Sequence, residues 1–239
     1  MQKHKRRKHK SHKRSLVVGN EHRPFFETTT GGKIALDTLG TSVDTEAASI
    51  KDQVNYRSQQ QQATARADEA RRILTRGLRH VSTVSTLLPG DSTPKFDGTR
   101  PMNDEQLIAR VEAIIAGTSA PHTDAFVNGG VQPALLERLT SKLAAFKKAK
   151  ETITLSGKLY TEATAALDRA LAEGDAAIRV LDGILETSPD APAGALTAFR
   201  QAKLIGPRDK ADDAVAAPSP EPAPAPAVSP APDVPNKVA

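Results

Sequence analysis

The strongest regularity in the chain is a spacing of apolar positions. After Pro133, the residues Leu136, Leu139, Leu143, Phe146, Lys150, Ile153, Gly157, Tyr160, Thr164, Leu167, Leu171, Gly174, Ile178, Leu181 and Leu185 follow one another in steps of three or four. Such a run is an a/d seam with a mean period near 3.5, the pattern of a long helix packed against another helix. Some 50 residues at 1.5 Å each predict a rod of roughly 75 Å. Pro133 suits the first turn and Ser188-Pro189-Asp190 ends the run. Gly157, Gly174 and Gly183 each weaken the helix and admit a break or a close approach by another helix.

A second long rhythm precedes it. From about Lys33 to Leu88 the positions Val43, Ala47, Ile50 and Val54, then Ala63, Ala67, Ala70, Leu74, Gly77, Val81, Val84 and Leu88, keep the same spacing across a polar middle at Asn55–Gln62. An interruption is expected near Gly40, and Pro89-Gly90-Asp91 is a stop. Two short helices are predicted besides. One runs from about Asp104 to Ala116, capped by Asn103 with Gln106 three residues on. The other runs from about Ala193 to Ile205, before Gly206-Pro207. Residues 89–102 and 117–132 are expected as loops, and Pro24-Phe25-Phe26 as a segment docked on the body.

The predicted fold is all-α: an elongated helical bundle or antiparallel coiled-coil hairpin of two long and two short helices. Its parts are a disordered basic tail at 1–14, an irregular lead-in at 15–33, the bundle at 34–206, and a disordered Pro/Ala-rich tail at 207–239. The last segment holds nine of the seventeen prolines and reads as an extended, polyproline-like chain. Composition agrees. Aromatic residues are 3% of the chain, a supply that suits helix-on-helix packing better than a β-sandwich.

Charge is concentrated at one end. The formal total is +5, yet residues 1–14 alone carry +8 from Lys3, Lys5, Arg6, Arg7, Lys8, Lys10, Lys13 and Arg14. The segment 207–239 carries −2, which leaves −1 for residues 15–206. A run with no apolar residue after Met1 cannot repay the entropy of ordering, hence the expectation of disorder. Eight mobile cations can neutralise phosphates and release counterions, with a salt slope approaching about −7 on duplex DNA. No aromatic residue is interleaved, so stacking on bases is not expected and binding would be non-specific. The competing readings are a tail that only aids solubility and, ranked lower because the segment has no apolar face to insert, one that meets an anionic membrane or a protein partner.

Other chemistry finds little support. Cysteine is absent, which excludes disulfides, thiol catalysis and cysteine-based metal sites and fits a reducing compartment. No apolar stretch of membrane-spanning length occurs, and Leu16-Val17-Val18 is too short for the core of a cleaved signal. His4, His9 and His12 lie among cations that oppose a metal ion. His80 and His122 lack the Glu-x-x-His partner of bundle metal sites. Walker, Gly-x-Gly-x-x-Gly and Gly-x-Ser-x-Gly patterns are missing. The loop Lys95-Phe96-Asp97-Gly98-Thr99-Arg100 has residue types that anchor interfaces, and an enzyme would have to place its site at the loops 89–102 and 117–132. Lys150, on the seam, either sets register or reaches out to water.

The sequence therefore points to a cytoplasmic, non-enzymatic helical protein without a cofactor. It would bind nucleic acid non-specifically through Lys3, Lys5, Arg6, Arg7, Lys8, Lys10, Lys13 and Arg14. The alternative is a scaffold that assembles with itself or with protein partners through its helical seam.

Overall fold

A computed structural model describes residues 2–88, 95–96, 102–119 and 122–204. Seven helices make up this part: α1 (Gln2–Glu21), α2 (Arg23–Phe26), α3 (Thr30–Leu87), α4 (Asp104–Gly117), α5 (Thr123–Asn128), α6 (Pro133–Thr187) and α7 (Ala195–Lys203). Among the described residues there is no strand. The all-α expectation holds, and the architecture is a hairpin of α3 and α6 with the shorter helices packed along it. At 58 residues, α3 is about 87 Å long and passes Gly40 without a break.

The helix ends follow local chemistry. The Thr29 side chain accepts from the Gly32 amide to open α3. Asn103 and Gln106 form the expected capping box at α4. Pro133 sits in the first turn of α6, and Gly194, with φ 78°, supplies the left-handed residue that starts α7.

The two long helices run antiparallel, with Gly77 against Leu139 near one end and Gln53 donating to the Thr164 hydroxyl at 3.1 Å further along. Each end of the hairpin has its own core. The distal core joins Leu74, Leu78 and Val81 of α3 to Leu107, Val111 and Ile114 of α4, Phe126 of α5, and Leu139 and Phe146 of α6. The proximal core joins Phe26, Leu36 and Leu39 to Ile178, Leu181, Leu185 and Phe199. Burying side chains of this size contributes roughly 1.5–3 kcal/mol each.

Between the cores the hairpin is a thin stalk with small or polar contacts, and here the predicted seam slips by one residue. In α6 the buried positions are Ala149, Ser156 and Ala163 instead of Lys150, Gly157 and Thr164. In α3 they are Glu46, Ser49 and Gln53 instead of Ala47, Ile50 and Val54. An α-helix drifts about 20° per heptad against a strict 3.5 repeat, so small side chains turn inward where they allow closer approach. Lys150 leaves the seam and pairs with Asp104 of α4 at 2.6 Å.

Three expectations are corrected. Residues 1–14, expected as a disordered tail, belong to helix α1. The lead-in at 15–33 is mostly helical, in α1, α2 and the start of α3. The loop 117–132 contains α5, which delivers Phe126 to the distal core. The tail at 207–239 lies outside the described residues.

Candidate functional site

Helix α1 lies on the proximal half of the hairpin, touching α3, α6 and α7. Its sequence carries +7, and an isolated helix so charged would repel itself. What holds it is the surface beneath. Residues 30–50 of α3 and 167–187 of α6 sum to −5, whereas the distal remainder, 51–87 and 133–166, sums to +7. The near-neutral body of the sequence is thus an acidic half and a basic half, and the cationic helix docks on the acidic one.

The contacts are specific. Lys5 Nζ reaches Asp168 at 2.5 Å and Lys8 Nζ donates to Asp175 at 2.6 Å. Ser11 donates to the carbonyls of Ala202 and Lys203, and Arg14 to that of Leu204, which ties α1 to the end of α7. At the centre His12 is 2% exposed. Its Nδ1 is 2.6 Å from Glu46 Oε1 and its Nε2 is 3.0 Å from Asp175 Oδ1. His9 Nδ1 reaches the other Glu46 oxygen at 2.8 Å. Ionised carboxylates only accept, so with both acids charged His12 engages them fully as an imidazolium, donating from both nitrogens. Burial opposes that charge, but the hydrogen bonds to Glu46 and Asp175 outweigh it and raise the His12 pKa above 6.5. Burial likewise disfavours ionised Glu46 and Asp175. Bonds from His12 and His9 still hold Glu46 below its ordinary value, and bonds from Lys8 and His12 hold Asp175 below its own. Gly174 makes room: a Cβ there would lie 2.6 Å from His12 Nδ1.

This cluster locks α1 onto the acids beneath it. No group of three or more metal-ligating side chains stands ready for a metal ion among the described residues. The eight cations expected to act as one mobile arm are divided by the helix. Lys5 and Lys8 face inward on acids, as does His12. Lys3, Lys10, Lys13 and Arg14 are exposed on the outer arc, and Arg6 and Arg7 are half-buried on its flanks. Of these, Arg6, Arg7 and Lys13 have no ion-pair partner among the described residues.

A second basic surface lies in the distal half. An open groove of about 420 Å³ runs between α3 and α6, with a floor of Ala63, Ala70, Ala145 and Ala149. Its rims carry Gln59, Gln62, Arg66 and Glu69 on α3 and Lys142, Lys148 and Thr152 on α6. Register fixes which face this is. Lys147 pairs with Glu112 of α4, while Asp168 and Asp175, whole heptads further on, pair with α1. Helices α1 and α4 therefore share one flank of the seam, and the groove lies on the other.

The remaining candidates are structural. Phe96 packs on Phe126 with ring centroids 6.1 Å apart, and Lys95 donates to the carbonyls of Ser85 and Leu88. Residues 97–100 of that loop lie outside the described residues. His80 is exposed on α3. Sequence reasoning missed Glu46, Asp168 and Asp175 as the receptor for α1. One signal was present: Ser11, Ser15 and Gly19, small residues four apart, mark a helix face that can approach another closely.

No helix of the described residues is long and apolar enough to cross a membrane. Compared with protein-family models, curated proteins and solved structures, the chain matches none of them.

Proposed function

We propose that this chain is a non-enzymatic helical bundle that binds the phosphate backbone of nucleic acid without sequence preference, in the cytoplasm, through cations carried on an ordered helix. The observation that carries the reading is the division of α1. Its inner cations are engaged by the body's own acids, while Lys13 is exposed and the half-buried Arg6 and Arg7 on its flanks have no ion-pair partner among the described residues. A docked helix presents such charges about 5.4 Å apart per turn, without the ordering entropy of a mobile arm. Residues 2–15 include no Phe, Tyr or Trp, which favours contact with the backbone over contact with bases.

Burial of the seam within one chain weighs against the alternative, assembly through that seam. Leu139, Phe146, Leu167 and Leu181 are all at most 1% exposed within a single chain.

The test is fluorescence anisotropy of a labelled duplex and a labelled RNA over a salt series. Each of three phosphate contacts adds about 0.9 to the log–log slope on duplex. The variant R6Q/R7Q/K13Q should then bind more weakly, with a slope shallower by about 3. Absence of binding at low salt by the full chain refutes the reading, and so does an unchanged slope in the variant.

A further inference from the structure

Cations stand on both faces of the hairpin. The outer arc of α1 points away from one face, and the groove opens on the other, two helix layers of about 8–10 Å apart. No straight duplex reaches both at once. The distal half of the hairpin carries +7, and α4, which covers its other flank, returns only −2. In the groove Lys142 shares Glu69 at 3.6 Å, while Arg66 and Lys148 have no ion-pair partner among the described residues.

We propose that this groove is a second site for a nucleic-acid phosphate backbone, so that one chain bridges two nucleic-acid segments; the inference rests on the reading of α1 given above. Lys142 and Lys148 lie about 9 Å apart along α6. Measured along a duplex axis, that length covers about two to three base-pair rises of about 3.4 Å, which brings neighbouring phosphates of one strand within reach. The Gln59 and Gln62 amides add neutral donors on the opposite rim. Alanines floor the groove, and the space of about 420 Å³ above them admits a sugar-phosphate chain between two polar rims. A repeating anion suits this surface better than an acidic peptide does.

The experiment uses the full chain. Duplex on beads is saturated with protein and washed at low salt, and capture of a second, fluorescent duplex is measured. The wild type should capture it. R66Q/K142Q/K148Q alters groove side chains alone and should keep its helical content by circular dichroism. It should still bind the immobilised duplex yet capture at least tenfold less of the second one. Its total affinity loss over a fourfold rise in salt should be about 40-fold smaller, the share of three phosphate contacts. Capture by this variant at the wild-type level overturns the groove while leaving the α1 reading intact. A wild type that binds the beads but captures nothing overturns bridging. A wild type that binds no duplex at all refutes the α1 reading and this one together. Displacement of the second duplex by polyglutamate of equal charge, with the bead-bound protein retained, identifies a peptide site and overturns the assignment.

Discussion

His12 Nδ1 lies 2.6 Å from Glu46 Oε1, and both side chains are at most 2% exposed. The pair joins a helix whose sequence has no apolar stripe to one whose stripe is legible along the chain. Removing one partner of a buried pair strands the other charge, at a cost of about 3–5 kcal/mol. Glu46→Gln should therefore release α1. Trypsin cleavage at Lys5 to Arg14 should rise about 100-fold or more, with the hairpin's melting transition kept. Adding His12→Gln should recover part of the loss, because the stranded charge is gone. Additive losses would show that the pair is uncoupled.

Docking of α1 should depend on pH from both sides. The His12 pKa is raised, so its contribution is complete below about 6.5 and is lost as pH rises through the elevated value. Glu46 and Asp175 are lowered. Their contribution is complete above the ordinary values of 4.5 and 3.8 and is lost as pH falls through the depressed ones. Amide exchange across residues 2–21, corrected for intrinsic rate, should be slowest in the mildly acidic window and faster on either side. Flat protection from pH 5 to pH 9 would remove His12 from the lock.

Two glycines of α6 should respond oppositely to alanine. Nothing lies within 4 Å of a Cβ at Gly183, so Gly183→Ala should stabilise by about 1 kcal/mol through helix propensity. At Gly174 the same methyl would meet the His12 ring at 2.6 Å and Glu46 Oε1 at 3.2 Å, and both are held by their mutual bonds. Gly174→Ala should lower stability and loosen α1. Equal thermal shifts for the two variants would contradict the close packing of α1.

Phe126 comes from a segment that reads as loop, yet it is 0% exposed between α3, α4 and α6. Phe126→Ala should cost about 3–5 kcal/mol in urea unfolding. A loss below 1 kcal/mol would mean that α5 is not part of the distal core.

The long helices were legible because each needs only its own stripe and stops. Leu139 to Leu185 and Ala63 to Val84 announce themselves by spacing, and Asn103 with Gln106 announces a cap. The place of α1 was not legible. Residues 3–14 show no apolar periodicity, and their partners sit 34 to 192 positions away. Summing charge over residues 15–206 hid the acidic and basic halves, because antiparallel pairing sorts charges by position along the hairpin and not by position along the chain.

The sequence by itself determined the helical class, the two long rods, their caps and the sign of each charge run. Those properties rest on local hydrogen bonding and on side chains within one or two turns. Only the tertiary structure decided that the basic run folds, which of its cations face out, and that a second basic surface lies on the opposite flank. Charge has no periodicity that marks its partner, so the match between α1 and its acidic cradle exists only once α3 and α6 are paired in register.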